Sequence, residues 1–174
     1  MLHNQSFRIG HGFDVHQLAT GRPFILGGVM IPWEKGIVGH SDADVLIHAI
    51  CDALLGAAAL RDIGYHFPDT DDQYKNINSG ILLQSVIELM KSHHYAVGNI
   101  DCTIALQSPK ISQHIPQMQQ NIAQLMGVPV TAVSIKATTT EHLGFTGRGE
   151  GIAVWAVALL YSSILNTHET DITK

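Results

Sequence analysis

The longest apolar run in the chain, Gly151 to Tyr161 (GIAVWAVALLY), constrains the fold more than any other segment. A bilayer span needs about 20 such residues, so this run is too short to cross a membrane. It reads instead as a buried strand, and a buried strand needs partner strands around it. With 174 residues, the chain suits one domain, 1–174, with polar, flexible ends at 1–6 and 166–174. A domain of that length removes roughly 70% of its unfolded surface from water. Hydrophobic residues make up 45% of the chain, enough for a core without disulfides. Cys51 and Cys102 stand outside any CxxC pattern, which suits a reducing compartment.

The charge balance excludes several functions. Fifteen acidic residues against ten Lys and Arg give a net charge of -5, the wrong sign for displacing counterions from nucleic-acid phosphates. There is no like-charge block of the kind that keeps a segment disordered. Met1 to Phe7 lacks the apolar centre of a secretory signal, so the expected location is the cytoplasm, with no membrane partner.

Periodicity supplies the remaining elements. Phe7 to Leu18 opens as an extended segment broken by Gly10 and Gly12. Gly27-Gly28 separates two short apolar runs, the signature of a two-residue hairpin, and Gly36 to Gly39 reads as a connector. Ser41 to Leu60 predicts a long helix, with Ser41 as N-cap and Asp44 completing a capping box. Asp62 to Asp72 is a polar loop; Ile81 to Met90 and Ile115 to Leu125 carry helical stripes, the second stopped by Gly127 and Pro129. Ile100 to Leu106 alternates as a half-buried strand does, Val133 to Thr138 reads as another strand, and Thr139 to Gly151 is a glycine-rich loop. The expected fold is α+β: a mixed β-sheet with helices packed on one face, plus a short β-hairpin.

Eleven histidines direct the search for chemistry. Asp14 and His16 are two residues apart in an extended segment, so both side chains lie on one face and can converge on an ion. Taken alone, the pair equally describes a surface contact. His48 lies on the long helix with Asp44 and Asp52 four residues to either side. That face suits solvent, and it also suits a metal-ligating imidazole whose second nitrogen needs an acceptor. Asp14, His16 and His48 together would leave a fourth tetrahedral position open, the pattern of a catalytic zinc. His40 and Ser41 precede the helix, where an anion such as phosphate is favoured. No G-x-S-x-G surrounds Ser41, so serine nucleophilic catalysis is excluded. KATTTEHLGFTGRGEG, residues 136–151, offers hydroxyls, a carboxylate and an Arg suited to a diphosphate and its divalent ion, and also reads as a tight glycine turn.

Four stretches, in order from residue 8 to about 160, resemble the 2-C-methyl-D-erythritol 2,4-cyclodiphosphate synthase family of the non-mevalonate isoprenoid pathway. They are RIGHGFDVHQL, GHSDADVLIHAICDALLGAAALRDIGYHFPDTD, SPK and IKATTTEHLGFTGRGEGIAVWAVALL. The resemblance implies that Asp14, His16 and His48 hold zinc, with Asp14, Val15 and His16 also beside the substrate. His40 and Thr139 match transition-state stabilisers, and Ser41 a neighbouring contact. Asp62, Ile63 and Gly64, with Phe67, Pro68, Asp69, Thr70 and Asp71, match a mobile loop around the methylerythritol part. Thr138, Thr139, Thr140 and Glu141 match the diphosphate segment, Glu141 holding a second divalent ion, Mg2+ or Mn2+. Ala105 to Ile111, including Lys110, and Ala137 match a cytidine pocket. Phe145 and Arg148 match residues near the threefold axis of a homotrimer, beside a cavity that takes isoprenoid diphosphates. The family's active sites lie between subunits. His142 and the Leu106-Gln107-Ser108 run depart from the usual pattern.

The implied substrate is 4-diphosphocytidyl-2-C-methyl-D-erythritol 2-phosphate, whose 2-phosphate attacks the β-phosphorus and expels CMP. Two other functions fit parts of the pattern. A zinc phosphohydrolase would need a base beside the bound water, and no H-E-x-x-H Glu is present. A trimeric metal- or isoprenoid-binding module would bind the isoprenoid ligand without ever releasing CMP.

Overall fold

The computed structural model describes residues 6–68, 70–74 and 77–162, with the side chain of Asp72 excluded. The expected flexible ends, Ser6 apart, therefore lie outside the described residues, as does Asp69. Ser6 is tied in: its carbonyl accepts from the Ser162 amide at 2.9 Å.

In chain order the elements are β1 (Phe7–Thr20), β2 (Ile25–Leu26), β3 (Val29–Met30), β4 (Lys35–Ile37), α1 (Val45–Ala57), α2 (Ile63–His66), α3 (Ser79–Ser92), β5 (Tyr95–Ala105), α4 (Ile115–Met126), β6 (Val133–Thr138), α5 (Gly144–Gly147) and β7 (Gly151–Ser162). Five strands form one sheet in the order β4-β1-β7-β5-β6, and β2 with β3 forms the hairpin. Among the described strands only β5 and β6 pair in parallel, as they must when α4 crosses between them. The apolar run at the end of the chain is the central strand β7, paired with β1 on one edge and β5 on the other.

Strand β1 is continuous, and its glycines do not break it. Gly10 and Gly12 face α1, where an added Cβ would lie 1.9 Å from the Ala53 oxygen and 2.0 Å from the Ala49 oxygen. Glycine is there to let a helix backbone rest directly on a strand. Period-two alternation then puts Asp14, His16 and Leu18 on that same helix-bearing face. Across the sheet, Ile152, Val154, Ala156, Ala158 and Leu160 of β7 and Ile100, Cys102 and Ile104 of β5 are buried in the core. Leu46, Ile50 and Leu54 of α1 are fully buried against them.

Helix α1 begins later than the sequence suggests. Ala43 has φ +59°, a left-handed turn that no helix interior contains, so Ser41 cannot be the N-cap. The Ser41 hydroxyl instead accepts from the Ala43 amide at 3.1 Å. Asp44 is the cap, accepting from Ile47 N–H at 3.2 Å. The same buried carboxylate accepts from Gly27 and Gly28 at 2.9 and 2.7 Å, fastening the hairpin to the helix start. Burial, reinforced by the nearby charge of Asp42, pushes the Asp44 carboxyl up to about 6 against the pull of these amides. The expected connector at Gly36–Gly39 is strand in its first half: Lys35–Ile37 pairs with Leu18–Thr20 of β1, and Val38 and Gly39 lead out of it. Gly127, at φ +69°, ends α4 as expected.

Among the described residues, no helix covers the opposite sheet face. Phe7, Ile9, Phe13, Val15, Trp155, Val157 and Tyr161 stand on it, with Ile9 65% and Trp155 39% exposed. Among the described residues, no helix is long and apolar enough to cross a membrane.

Candidate metal centre and phosphate cavity

Where β1 passes the first turns of α1, three side chains from two elements meet. Asp14 Oδ2 lies 3.0 Å from His16 Nε2 and 3.1 Å from His48 Nδ1. One ligand atom from each of the three lies within 4.8 Å of the other two. The remaining ring nitrogens point elsewhere. His16 Nδ1 is 2.6 Å from the Val38 carbonyl, which can only accept, so that nitrogen carries the proton. His48 Nε2 lies 2.9 Å from Ser79 Oγ and 3.1 Å from Ser41 Oγ. A neutral His16 therefore turns a lone pair, not a proton, toward the Asp14 carboxylate. Two such electron-rich groups at 3 Å call for a positive charge between them, and a divalent cation supplies it. Two imidazole nitrogens and one carboxylate oxygen suit zinc chemistry.

Without a metal, a proton on the facing imidazole nitrogen supplies that charge. Burial opposes ionisation of Asp14, yet hydrogen bonds and charge from His16 and His48 outweigh it and hold the carboxyl at about 2. Burial likewise works against a charged His16, but its pairing with Asp14 raises its pKa above the usual 6.5.

Asp44 and Asp52, expected to flank His48 as acceptors, do other work. Asp44 caps the helix, and Asp52 accepts from the Ile63 amide at 2.8 Å, holding the start of α2 against α1. Burial raises the Asp52 carboxyl. The groups that do orient the rings, Val38 and Ser79, were missed. Ser79 lies 31 positions beyond His48 at the start of α3, and no local motif connects them.

A cavity of about 400 Å3 opens beside the cluster, lined by His16, His40, Ser41, His48, Ile63, Gly64, Phe67, Tyr74, Ile77 and Leu82. Thus His40, Ser41 and part of the 62–71 loop share a space with His16 and His48 of the cluster. Asp62 caps α2 through the Tyr65 amide at 2.9 Å, while Pro68, Thr70 and Asp71 continue the loop.

A second cavity of about 210 Å3 is lined by Leu106, Gln107, Pro109, Lys110, Ile111, Ser112, Ala137, Thr138 and Thr139. Ala105 is buried at its edge, at the end of β5, where it pairs with Thr138 of β6. The Thr139 hydroxyl donates to Glu141 at 2.6 Å, whereas Thr140 bonds the Leu143 carbonyl and Thr146 within its own loop. Glu141 and His142 both have positive φ, 50° and 64°, a conformation costly for side-chain-bearing residues and characteristic of functional loops. Arg148 is paired with Glu150, and the Phe145 ring rests on Gly151. Register places Val154 opposite Asp14 and Ile104 opposite Val154, with Ala137 beside Ile104. Asp14, at the first cluster, and Ala137, at the second cavity, thus stand about three strand spacings apart across the sheet, roughly 14 Å.

Comparison with known proteins gives this arrangement a family. The model of the YgbB family matches residues 7–161. A 2-C-methyl-D-erythritol 2,4-cyclodiphosphate synthase from Porphyromonas gingivalis is 63% identical over 158 residues, spanning 91% of this chain and 98% of the relative. Its namesake from a Geobacillus strain is 61% identical over 154 residues, spanning 88% and 98%. Among solved structures, the bifunctional IspDF from Campylobacter jejuni superposes with a TM-score of 0.88 at 43% identity, over 91% of this chain and 43% of that longer one. The IspF–CDP complex from Plasmodium falciparum gives 0.80 at 33% identity, over 90% and 97%.

Fold and site together define an α+β enzyme of isoprenoid precursor synthesis. The chain belongs to the YgbB family, and its activity is that of the 2-C-methyl-D-erythritol 2,4-cyclodiphosphate synthases it matches.

Proposed function

We propose that the reaction proceeds at a composite site in a homotrimer, with the Asp14–His16–His48 cavity of one subunit facing the Lys110–Thr139 cavity of the next. The observation that carries this reading is the convergence of Asp14, His16 and His48 beside His40 and Ser41 in one cavity. The 14 Å separation within a chain and the bare apolar sheet face support a partner subunit, since monomers rarely expose so large a patch.

The substrate is 4-diphosphocytidyl-2-C-methyl-D-erythritol 2-phosphate; its 2-phosphate oxygen bonds to the β-phosphorus as CMP leaves. The nucleophile is already an anion, so no strong base is required. The barrier lies in bringing two anionic phosphates into line. Zinc held by Asp14, His16 and His48, and Mg2+ or Mn2+ held by Glu141, would supply charge neutralisation and polarisation of the diphosphate.

The protein's own groups do the rest. His40, and the Thr139 hydroxyl once it turns from Glu141 to the substrate, donate to charge developing on the transferred group, and Ser41 steadies the phosphate beside the α1 lead-in. Thr138 and Thr140 frame the diphosphate segment. Asp62, Ile63 and Gly64, continued by Phe67 to Asp71, fold the methylerythritol part back on itself, since effective molarities of about 10⁵ to 10⁸ M are available to well-oriented groups. Ala105, Lys110, Ile111 and Ala137 receive the cytidine. Phe145 and Arg148 face the threefold axis, where an isoprenoid diphosphate is accommodated. The enzyme is a cytoplasmic phosphorus–oxygen lyase, acting as the single domain 1–174.

The test is CMP release by the purified protein with and without chelator, run in ¹⁸O-labelled water. Chelator-sensitive CMP release with an unlabelled cyclic product is expected. Label in the product would mean hydrolysis and would overturn the assignment, as would binding of isoprenoid diphosphate without any CMP.

A further inference from the structure

His48 reaches Asp14 through Nδ1, and the identity of the proton-bearing nitrogen is decided at the other side of its ring. Ser79 is fully buried. Its hydroxyl donates to Asp42 Oδ1, and its amide donates to Asp42 Oδ2 at 3.1 Å. A hydroxyl has one hydrogen. Once that hydrogen is committed to a carboxylate, Ser79 Oγ can only accept from His48 Nε2, 2.9 Å away. Ser41 Oγ, at 3.1 Å from the same nitrogen, accepts from the Ala43 amide and has its own hydrogen to give, either to His48 or to Ser79 Oγ 3.5 Å away. Ser41 alone would thus tolerate either tautomer; Ser79 would not.

We propose that Asp42 and Ser79 are positioning residues that lock His48 as its Nε2–H tautomer, so that the Nδ1 lone pair faces Asp14, ready for a metal. A His48 protonated on Nδ1 would turn a hydrogen toward the metal position and block it. The relay also joins three parts of the chain: the lead-in to α1, the start of α3 and the metal-ligating turn of α1. It deepens the zinc reading of the site and rests on it, but the tautomer itself can be read without any metal.

The experiment uses the full chain with ¹⁵N-labelled histidine, stripped of metal, at alkaline pH. Two-bond proton–nitrogen couplings assign the His48 tautomer, the resonance being identified by its loss in His48→Ala. The wild type should carry its proton on Nε2. In Asp42→Asn, the amide donates to Ser79 Oγ and frees the Ser79 hydrogen, so His48 should shift toward Nδ1–H. Zinc affinity, measured by chelator competition, should fall about 10- to 100-fold in Asp42→Asn, the usual range for an outer partner of a ligating histidine. Ser79→Ala should fall about tenfold, near the lower end, because Ser41 remains to accept. A wild-type His48 protonated on Nδ1 would overturn the proposal, whether or not the variants fold. So would folded variants that bind zinc within about twofold of wild type, against that same range. If the wild type bound no zinc at all, the metal assignment would fail while the tautomer measurement still judged the relay.

Discussion

A methyl group on Gly12 would lie 2.0 Å from the carbonyl oxygen of Ala49, one residue along α1 from His48. The contact that seats α1 on β1 is therefore also the contact that sets the distance between His48 and Asp14. Gly12→Ala should push the helix off the strand, at a cost of about 1–3 kcal/mol or more for overpacking. Stability, bound zinc and turnover should fall together. Thermal unfolding beside metal analysis checks this; full zinc occupancy in a destabilised protein would separate the two roles.

Removing a ligand should have the opposite profile. His48→Ala leaves α1's buried side intact, so the fold should persist while turnover drops at least about 10²-fold, the scale of a lost electrostatic stabiliser. Near-normal turnover in protein free of zinc would reject the ligand assignment.

The metal-free protein should lose stability with rising pH. His16 has a raised pKa in the fold, so its pairing contributes fully below 6.5 and is lost as pH climbs through the raised value. Asp14, held near 2, contributes above 3.8 and loses that contribution only as pH falls toward 2. Zinc binds the unprotonated ring, so added zinc should reverse the neutral-range slope. Denaturant titrations across the neutral range, in wild type and Asp14→Asn, measure it; Asp14→Asn should flatten the metal-free slope.

Glu141 accepts from Thr139 on an exposed, strained turn, a geometry in which its second carboxylate oxygen remains available to a cation. Glu141→Gln should weaken the dependence of turnover on added Mg2+ or Mn2+. An unchanged titration would mean that another group binds that ion.

The bare sheet face should hold the trimer. Trp155→Glu puts a charge beside Phe13, whose ring lies 5.3 Å away, and should leave the monomer's core intact. Sedimentation should then show monomers without turnover. A Trp155→Glu protein that remained trimeric would place the interface elsewhere.

Much of this was written locally in the chain. Alternation marked β5, a continuous apolar run marked β7, a left-handed glycine ended α4, and the two-residue spacing of Asp14 and His16 put them on one face. What was not legible depended on contacts between distant segments. Ser41 looked like a helix cap because the left-handed turn at Ala43 has no compositional mark. Lys35–Ile37 looked like a connector because three residues carry no period. Ser79 was invisible because its partners are Asp42 and His48, each more than 30 positions away, and only the fold joins them.

Strand β1 presents two unlike faces by turns along a single backbone: Asp14 and His16 on the side that bears α1, and Ile9, Phe13 and Val15 on the side left bare. Losing or gaining one residue between Phe7 and Asp14 would trade those assignments, turning Ile9 or Phe13 into the space where α1 rests or Asp14 and His16 onto the bare face.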